Sequence, residues 1–130
     1  MTATTLLAVN GTLMRGLELN PNMVAARARF VREDSTDACY RIWSINDRHP
    51  AMIRVLTGGV AVALEVWEVP MEGLGNLLLG EPAGLSIGKV LLGDGSEVLG
   101  VVGESWLVEG QKEISRFGGW RAYTAQLDAS

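Results

Sequence analysis

Residues 59–92, GVAVALEVWEVPMEGLGNLLLGEPAGLSIGKVLL, change their hydrophobic period within a few residues, and that change decides the fold class. Val60, Val62, Leu64 and Val66 alternate with Ala61, Ala63, Glu65 and Trp67, which is the period of a strand. Pro70 ends the run because it has no N–H to give to a ladder. Met71, Leu74, Leu77 and Leu78 then recur at helical spacing, and Gly80 stands where a helix end favours a residue tolerant of positive φ. Past Glu81-Pro82 a tight turn of small residues leads into a second apolar run, Leu85 to Leu92. The unit therefore reads strand, short helix, turn, strand, with Glu81 at its hinge, where backbone from both strands can converge on a ligand.

Downstream, Gly93-Asp94-Gly95-Ser96 is a hairpin signal joining Ile87–Leu92 to Val98–Val102. Upstream, Thr57-Gly58-Gly59 turns a short strand, Met52 to Leu56, into the central one, which predicts an antiparallel hairpin of 52–56 with 60–69. Ala26 to Arg32 reads as a strand connected through the polar turn Asp34-Ser35-Thr36-Asp37 to a second, Cys39 to Ile45, in a further hairpin. Asn46-Asp47-Arg48-His49-Pro50 is a loop by composition. His49 precedes a proline, so its backbone is held extended; it is either an exposed loop histidine or a titrating group reaching into a site.

Thr4 to Val9 is a β-branched and leucine-rich strand ending at Asn10-Gly11, a pair that tolerates positive φ. The stretch Asn10, Gly11, Thr12, Leu13 is either a plain turn or a loop whose N–H groups bind a carboxylate or carbonyl oxygen. Toward the C-terminus, Trp106 to Phe117 is poorly periodic, Gly118 to Tyr123 reads as a terminal strand or docking tail, and fraying is expected from Ala125. Because no long amphipathic helix is available to cover an open face, the expected architecture is α+β: one mixed barrel-like sheet of about six strands with short helices, spanning 1–130 as a single domain.

Composition bounds the function. At 130 residues, with 48% hydrophobic and 20% charged residues, the chain has the balance of a globular domain rather than a disordered one. A net charge of −4 and scattered basic residues argue against a nucleic-acid partner. One cysteine, Cys39, and one histidine, His49, exclude an intrachain disulfide and make a zinc site improbable, so neither metal nor cofactor is expected. The N-terminal MTATTLLAVNG lacks the basic region and apolar length of a signal peptide or membrane span, which makes the cytoplasm the expected compartment, with no membrane partner.

Several segments, in order, carry a family resemblance: Leu7-Ala8-Val9-Asn10-Gly11 with Leu19-Asn20, Cys39-Tyr40-Arg41-Ile42-Trp43, Glu65-Val66-Trp67-Glu68-Val69-Pro70, Pro82-Ala83-Gly84-Leu85-Ser86-Ile87-Gly88, and Phe117-Gly118-Gly119-Trp120-Arg121-Ala122-Tyr123. Together they resemble the C-terminal domain of allophanate hydrolases, whose fold is that of the γ-glutamylcyclotransferases. The resemblance implies chemistry on a small carboxylated amide, the decarboxylation of N-carboxycarbamate, or on a γ-glutamyl ligand. It implies that the loop Asn10, Gly11, Thr12 and Leu13 binds a substrate carboxylate. Glu81 falls close to the place of the cyclotransferase proton carrier and is the expected catalytic acid–base group. Tyr40 and Arg41 are the remaining expected substrate contacts, Arg41 as a carboxylate fork. Two positions depart from the pattern: Cys39 stands where those hydrolases commonly carry a histidine, and the position of Glu81 is usually apolar there. No amidase sequence is present, so a separate amidase protein is an expected partner. Open alternatives are a companion subunit anchored by Trp43, Trp67, Trp106 or Trp120, a ligand-binding module without turnover, and a homodimer.

Overall fold

The computed structural model describes residues 3–129; residues 1, 2 and 130 of the expected domain lie outside the described residues. Its elements are β1 (Thr4–Val9), α1 (Asn20–Ala25), β2 (Arg29–Ser35), β3 (Tyr40–Ile45), β4 (His49–Arg54), β5 (Ala63–Pro70), α2 (Leu74–Leu79), β6 (Leu85–Leu91), β7 (Glu97–Gly103), β8 (Lys112–Glu113) and α3 (Trp120–Asp128), with single 3₁₀ turns before α2 and on either side of β8. The α+β class with few, short helices matches the sequence expectation; closure into one barrel does not. Eight strands form two sheets, ordered β2-β5-β1-β7-β6 and β4-β3-β8. Among the described residues, the outer edges of the larger sheet meet only at one isolated bridge, Thr36 with Leu92. The smaller sheet covers the open side instead, and it packs so close that a Cβ on Gly103 of β7 would come within 2.9 Å of the Ala51 Cβ of β4.

Both hairpins expected around the loop regions pair differently. β2 runs antiparallel to β5 rather than to 39–45, and β3 pairs antiparallel with β4 across the turn Asn46–Arg48. The reason is local backbone geometry: Asn46 and Asp47 adopt left-handed conformations (φ 53° and 57°), which close a short antiparallel hairpin, so the composition-defined loop is a turn only three residues long. Pro50 is accommodated because β4 is the edge strand of its sheet. β5 is thereby freed to sit between β1 and β2. Placed centrally, it is buried on both faces, with Leu64, Glu65, Val66, Trp67 and Val69 each at most 5% exposed.

The hairpin β6–β7 forms as expected, with Leu91 opposite Glu97 and Gly95 in the left-handed region at φ 89°. Gly80, in contrast, ends α2 at φ −81°; its lack of a Cβ matters because a Cβ there would stand 3.1 Å from Asn22 Nδ2 on α1. The largest correction is at the C-terminus. Residues 120–128 are a helix, not a strand or a frayed tail, and α3 buries Trp120 and Tyr123 with Leu127 packed partly against the core. One core cluster joins both sheets and α3, including Leu7, Met23, Tyr40, Ile42, Met52, Val66, Val90 and Tyr123.

Candidate functional site

β1 pairs parallel with β7, Leu7 opposite Leu99 and Ala8 opposite Gly100, so the C-terminal ends of both strands finish at the same edge of the sheet. Asn10 leaves β1 there, and its side-chain Nδ2 donates to the Val101 carbonyl at 2.9 Å, tying the loop to β7. Asn10 is 4% exposed, so its side chain is a brace rather than a free ligand group. Gly11 is needed for space: its φ is not in the left-handed region, but a Cβ would lie 2.6 Å from Pro50 Cδ. Gly11→Ala must push β4 away from the loop, with an expected cost of ~1–3 kcal/mol readable as a lowered denaturation midpoint. Among the described residues, the backbone N–H groups of Gly11, Thr12 and Leu13 donate to no protein acceptor, although Thr12 and Leu13 are buried. Buried unpaired amides are rare, and a run of them marks a place for a ligand oxygen.

Glu81 closes the other wall. It follows α2, its amide donating to Leu78 O at 3.1 Å, and it lines the same cavity as Val9, Asn10, Gly11, Thr12, Leu13, His49, Pro50, Leu85 and Val101. This inner cavity has a volume of ≈ 10 Å³, about one water molecule. It continues into an open groove of ≈ 400 Å³ that shares Thr12, His49 and Glu81 and adds Glu18, Leu19, Ile45, Asn46, Arg48, Gly80 and Pro82. The Glu81 side chain is half-buried and, among the described residues, has no hydrogen-bond or ion-pair partner. Desolvation by these walls therefore acts unopposed and pushes its carboxyl from 4.5 up to about 7.

Tyr40 and Arg41 lie elsewhere. Strand alternation turns Tyr40 into the core, where its hydroxyl accepts the Leu91 amide at 3.0 Å. Arg41 points to the other face of β3, with its Nε 3.1 Å from Glu113 Oε2 on β8 in an ion pair whose N–H is not aimed at the oxygen. Neither lines the cavity of Glu81. Cys39 is partly buried beside them.

Sequence reasoning left Arg48 out and held His49 open between an exposed loop histidine and a group reaching into a site; the β3–β4 pairing, which was not foreseen, carries both to the groove. His49 Nδ1 lies 3.0 Å from the Pro50 carbonyl, an acceptor only, so Nδ1 carries the proton and donates. Below the turn, Asp47 Oδ1 accepts from Ser44 Oγ and from the Tyr123 hydroxyl, each at 2.6 Å, and the Tyr123 hydroxyl accepts from Lys112 Nζ at 3.1 Å. Those hydrogen bonds from Ser44 and Tyr123 hold the Asp47 carboxyl below its usual range. Among the described residues no cluster of His, Cys, Asp and Glu could hold a metal ion, and no helix is long and apolar enough to cross a membrane.

A second hollow of ≈ 280 Å³ lies away from that cleft, lined by the start of β5, the Phe117–Ala122 segment and Met14. Its floor is Glu65, 1% exposed, whose carboxylate accepts from the Arg15 amide, Arg15 Nε, Trp67 Nε1 and Arg121 Nη2 at 3.0–3.1 Å. Burial alone would raise that carboxyl; the amide, the indole and the two guanidiniums outweigh it and hold it below the ordinary range.

Three comparisons bear on this geometry. The crystal structure of a uropathogenic Escherichia coli-specific protein superposes with a TM-score of 0.94 at 66% identity, covering 95% of this chain and 97% of that one. A Kluyveromyces lactis allophanate hydrolase superposes at 0.91 with 27% identity, over 96% of this chain but 22% of its own. The urea amidolyase of Saccharomyces cerevisiae is 28% identical over 128 residues, 93% of this chain and 7% of that protein, so the present chain corresponds to a small part of those enzymes. A mouse aig2-like protein, 19% identical with a TM-score of 0.59, shares the fold alone. The model of the allophanate hydrolase C-terminal domain matches residues 5–125, and the chain belongs to that family.

Proposed function

We propose that this chain acts in urea or allophanate breakdown as an acid–base catalyst on a small carboxylated amide, releasing CO2 from N-carboxycarbamate, with Glu81 as the general acid. The observation that carries this is a protonatable, partnerless carboxyl, with its pKa pushed up to about 7, on one wall of a cleft whose other wall offers unpaired amides. In the reaction, the bond between nitrogen and one carboxylate carbon breaks, its electron pair moves to nitrogen, and CO2 leaves. The nitrogen takes the Glu81 proton, giving carbamate. The retained carboxylate is held by the Gly11–Leu13 amides, and Glu81 recovers a proton from the open groove. The proposal includes an amidase, as a separate partner protein, that supplies the substrate.

A second reading rests on Glu81 itself, which by the resemblance falls close to the place of the cyclotransferase proton carrier, at a position that is usually apolar in allophanate hydrolases. It assigns the same carboxyl to proton transfer between the amine and the leaving group of a γ-glutamyl amine. The test is direct. CO2 release from N-carboxycarbamate, with and without protein at one pH, and turnover of γ-glutamyl amines are followed in parallel. Acceleration of the first alone supports the main reading, acceleration of the second alone the other; rates equal to the uncatalysed ones for both overturn catalysis.

A further inference from the structure

The open groove beside Glu81 contains one cation with no anion of its own. Among the described residues, Arg15, Arg29, Arg32, Arg41 and Arg121 are each ion-paired to a carboxylate. Arg116 lies over the Phe117 ring at 4.8 Å. Arg27, Arg48 and Arg54 have no such partner, and of these only Arg48 lines a cavity with Glu81. Glu18 lines the same groove without coming within ion-pair distance of it. The groove thus has two anion-accepting flanks with Glu81 between them: the unpaired amides of the β1 loop, and the guanidinium of Arg48 beside the His49 ring.

The turn that carries Arg48 is held from several sides, as a recognition element should be and a plain surface turn need not be. Asn46 N donates to Gln111 Oε1 at 3.0 Å, Asp47 N to Ser44 Oγ at 3.1 Å, and the Asp47 carboxylate takes the Tyr123 hydroxyl. Tyr123 belongs to the FGGWRAY segment, one of the stretches that carry the family resemblance, and it is fully buried. From the other side, Pro50 is locked against Gly11. A flexible arginine on a braced turn loses less freedom on binding than one on a mobile loop.

We infer that Arg48 is the specificity-determining residue of the cleft and that it selects ligands carrying two carboxylates on a single bridging atom, the second carboxylate pairing with its guanidinium. The inference rests on the cleft reading above and narrows it: a monocarboxylate fills the loop flank only, whereas a dicarboxylate spans both. Glu81 faces the same ligand, and Glu18 the same groove. A dianion is accepted best while Glu81 is protonated, and its affinity falls as pH rises through about 7.

Malonate, which has a CH2 where N-carboxycarbamate has an NH, is the probe. Its binding to the full chain, and that of acetate, is followed by calorimetry and by amide chemical shifts of residues 10–13 and 81, just below pH 7. Wild type should bind malonate about tenfold or more tightly than acetate, and Arg48→Ala should bring malonate down to the acetate level while leaving acetate unchanged. Tyr123→Phe, which removes the hydroxyl under the turn, should give an intermediate loss of malonate only. If Arg48→Ala binds malonate like wild type, or loses both ligands equally, the inference is overturned while the cleft reading stands. If malonate moves none of the cleft amides in wild type, the cleft reading falls and takes the inference with it. Arg48 is exposed, so the variant folds.

Discussion

Glu81→Gln is expected to slow CO2 release from N-carboxycarbamate a hundredfold or more and, in the same protein, to raise stability at neutral pH. The loss of rate follows from the loss of a positioned acid, whose usual contribution is ~10²–10⁴-fold. The gain follows from linkage. The folded Glu81 carboxyl titrates at about 7 against 4.5 for the exposed group, so between those values the folded chain holds a proton that the unfolded chain releases. Wild-type stability therefore declines as pH rises through that window and levels off above it. At ~1.4 kcal/mol per pH unit the full shift sets a ceiling near ~3 kcal/mol, and the half-exposed position reduces it to ~1–2 kcal/mol. Glutamine does not ionise, so urea unfolding of the variant should lack the decline and exceed wild type above pH 7 while matching it near pH 4. The wild-type rate should itself fall as pH rises through about 7. A variant with wild-type turnover removes Glu81 from the chemistry whatever its stability does; a variant slowed and also destabilised assigns the residue a structural role instead.

Much of what was legible in the sequence is local. The β6–β7 hairpin is dictated by four turn residues, 93–96, and the switch from β5 to α2 by a proline and a change of period, both of which act within one turn of chain. Strand partners were not legible in this way. The alternation of Ala26–Arg32 and Cys39–Ile45 says that each is extended but carries no information on which ladder each joins, and the shortest connection, a hairpin between them, is not the one adopted. The order is instead settled by burial: a central β5 covers the largest apolar area, and that requires β2 on one flank and β1 on the other. The terminal helix had a signal that aromatic composition masked. Trp120, Tyr123 and Leu127 stand at i, i+3 and i+7, the stripe of a helix, behind two glycines that suggest extended chain. For the site, the period switch and turn chemistry singled out Glu81 and the loop at residues 10–13, the family resemblance supplied their expected roles, and the structure brings these distant segments to one cleft. Arg48 was out of reach and His49 could only be left open, because their place follows from the β3–β4 pairing. Tyr40 and Arg41, expected as substrate contacts from the resemblance, alternate to opposite faces of β3, and neither lines the cavity or groove of Glu81.

Glu65→Ala should be the most destabilising single change in the chain, by ~3 kcal/mol or more. Glu65 lies near the start of β5, its backbone opposite Val9, the last residue before the cleft loop, and its carboxylate takes the amide of Arg15, the first residue after the buried part of that loop. The side chain thus pins the far end of the segment that lines the site, while the backbone ladder of β5 holds its near end. Removing it leaves the Arg15 amide and the Trp67 indole N–H without acceptors, at ~1–3 kcal/mol each if they stay dry. It also leaves two guanidiniums without their shared counter-ion. Those guanidiniums are nearly half exposed and can turn to water, which keeps the expected cost near the lower end of the range for a broken buried pair. Glu65→Gln retains the oxygen facing Trp67 and the amide but sets an NH2 against the arginines, so it should lose about half as much. The two variants also differ from wild type at low pH. Because the folded carboxyl titrates below the unfolded one, its stabilisation is complete above the unfolded value and is lost as pH falls through the folded value; that acid limb should vanish in both. Urea midpoints at neutral pH and at pH below 4 measure all of this. A loss under 1 kcal/mol for Glu65→Ala would mean that water replaces the carboxylate, and the loop would then owe its position to the Gly11–Pro50 contact and the Asn10 brace alone.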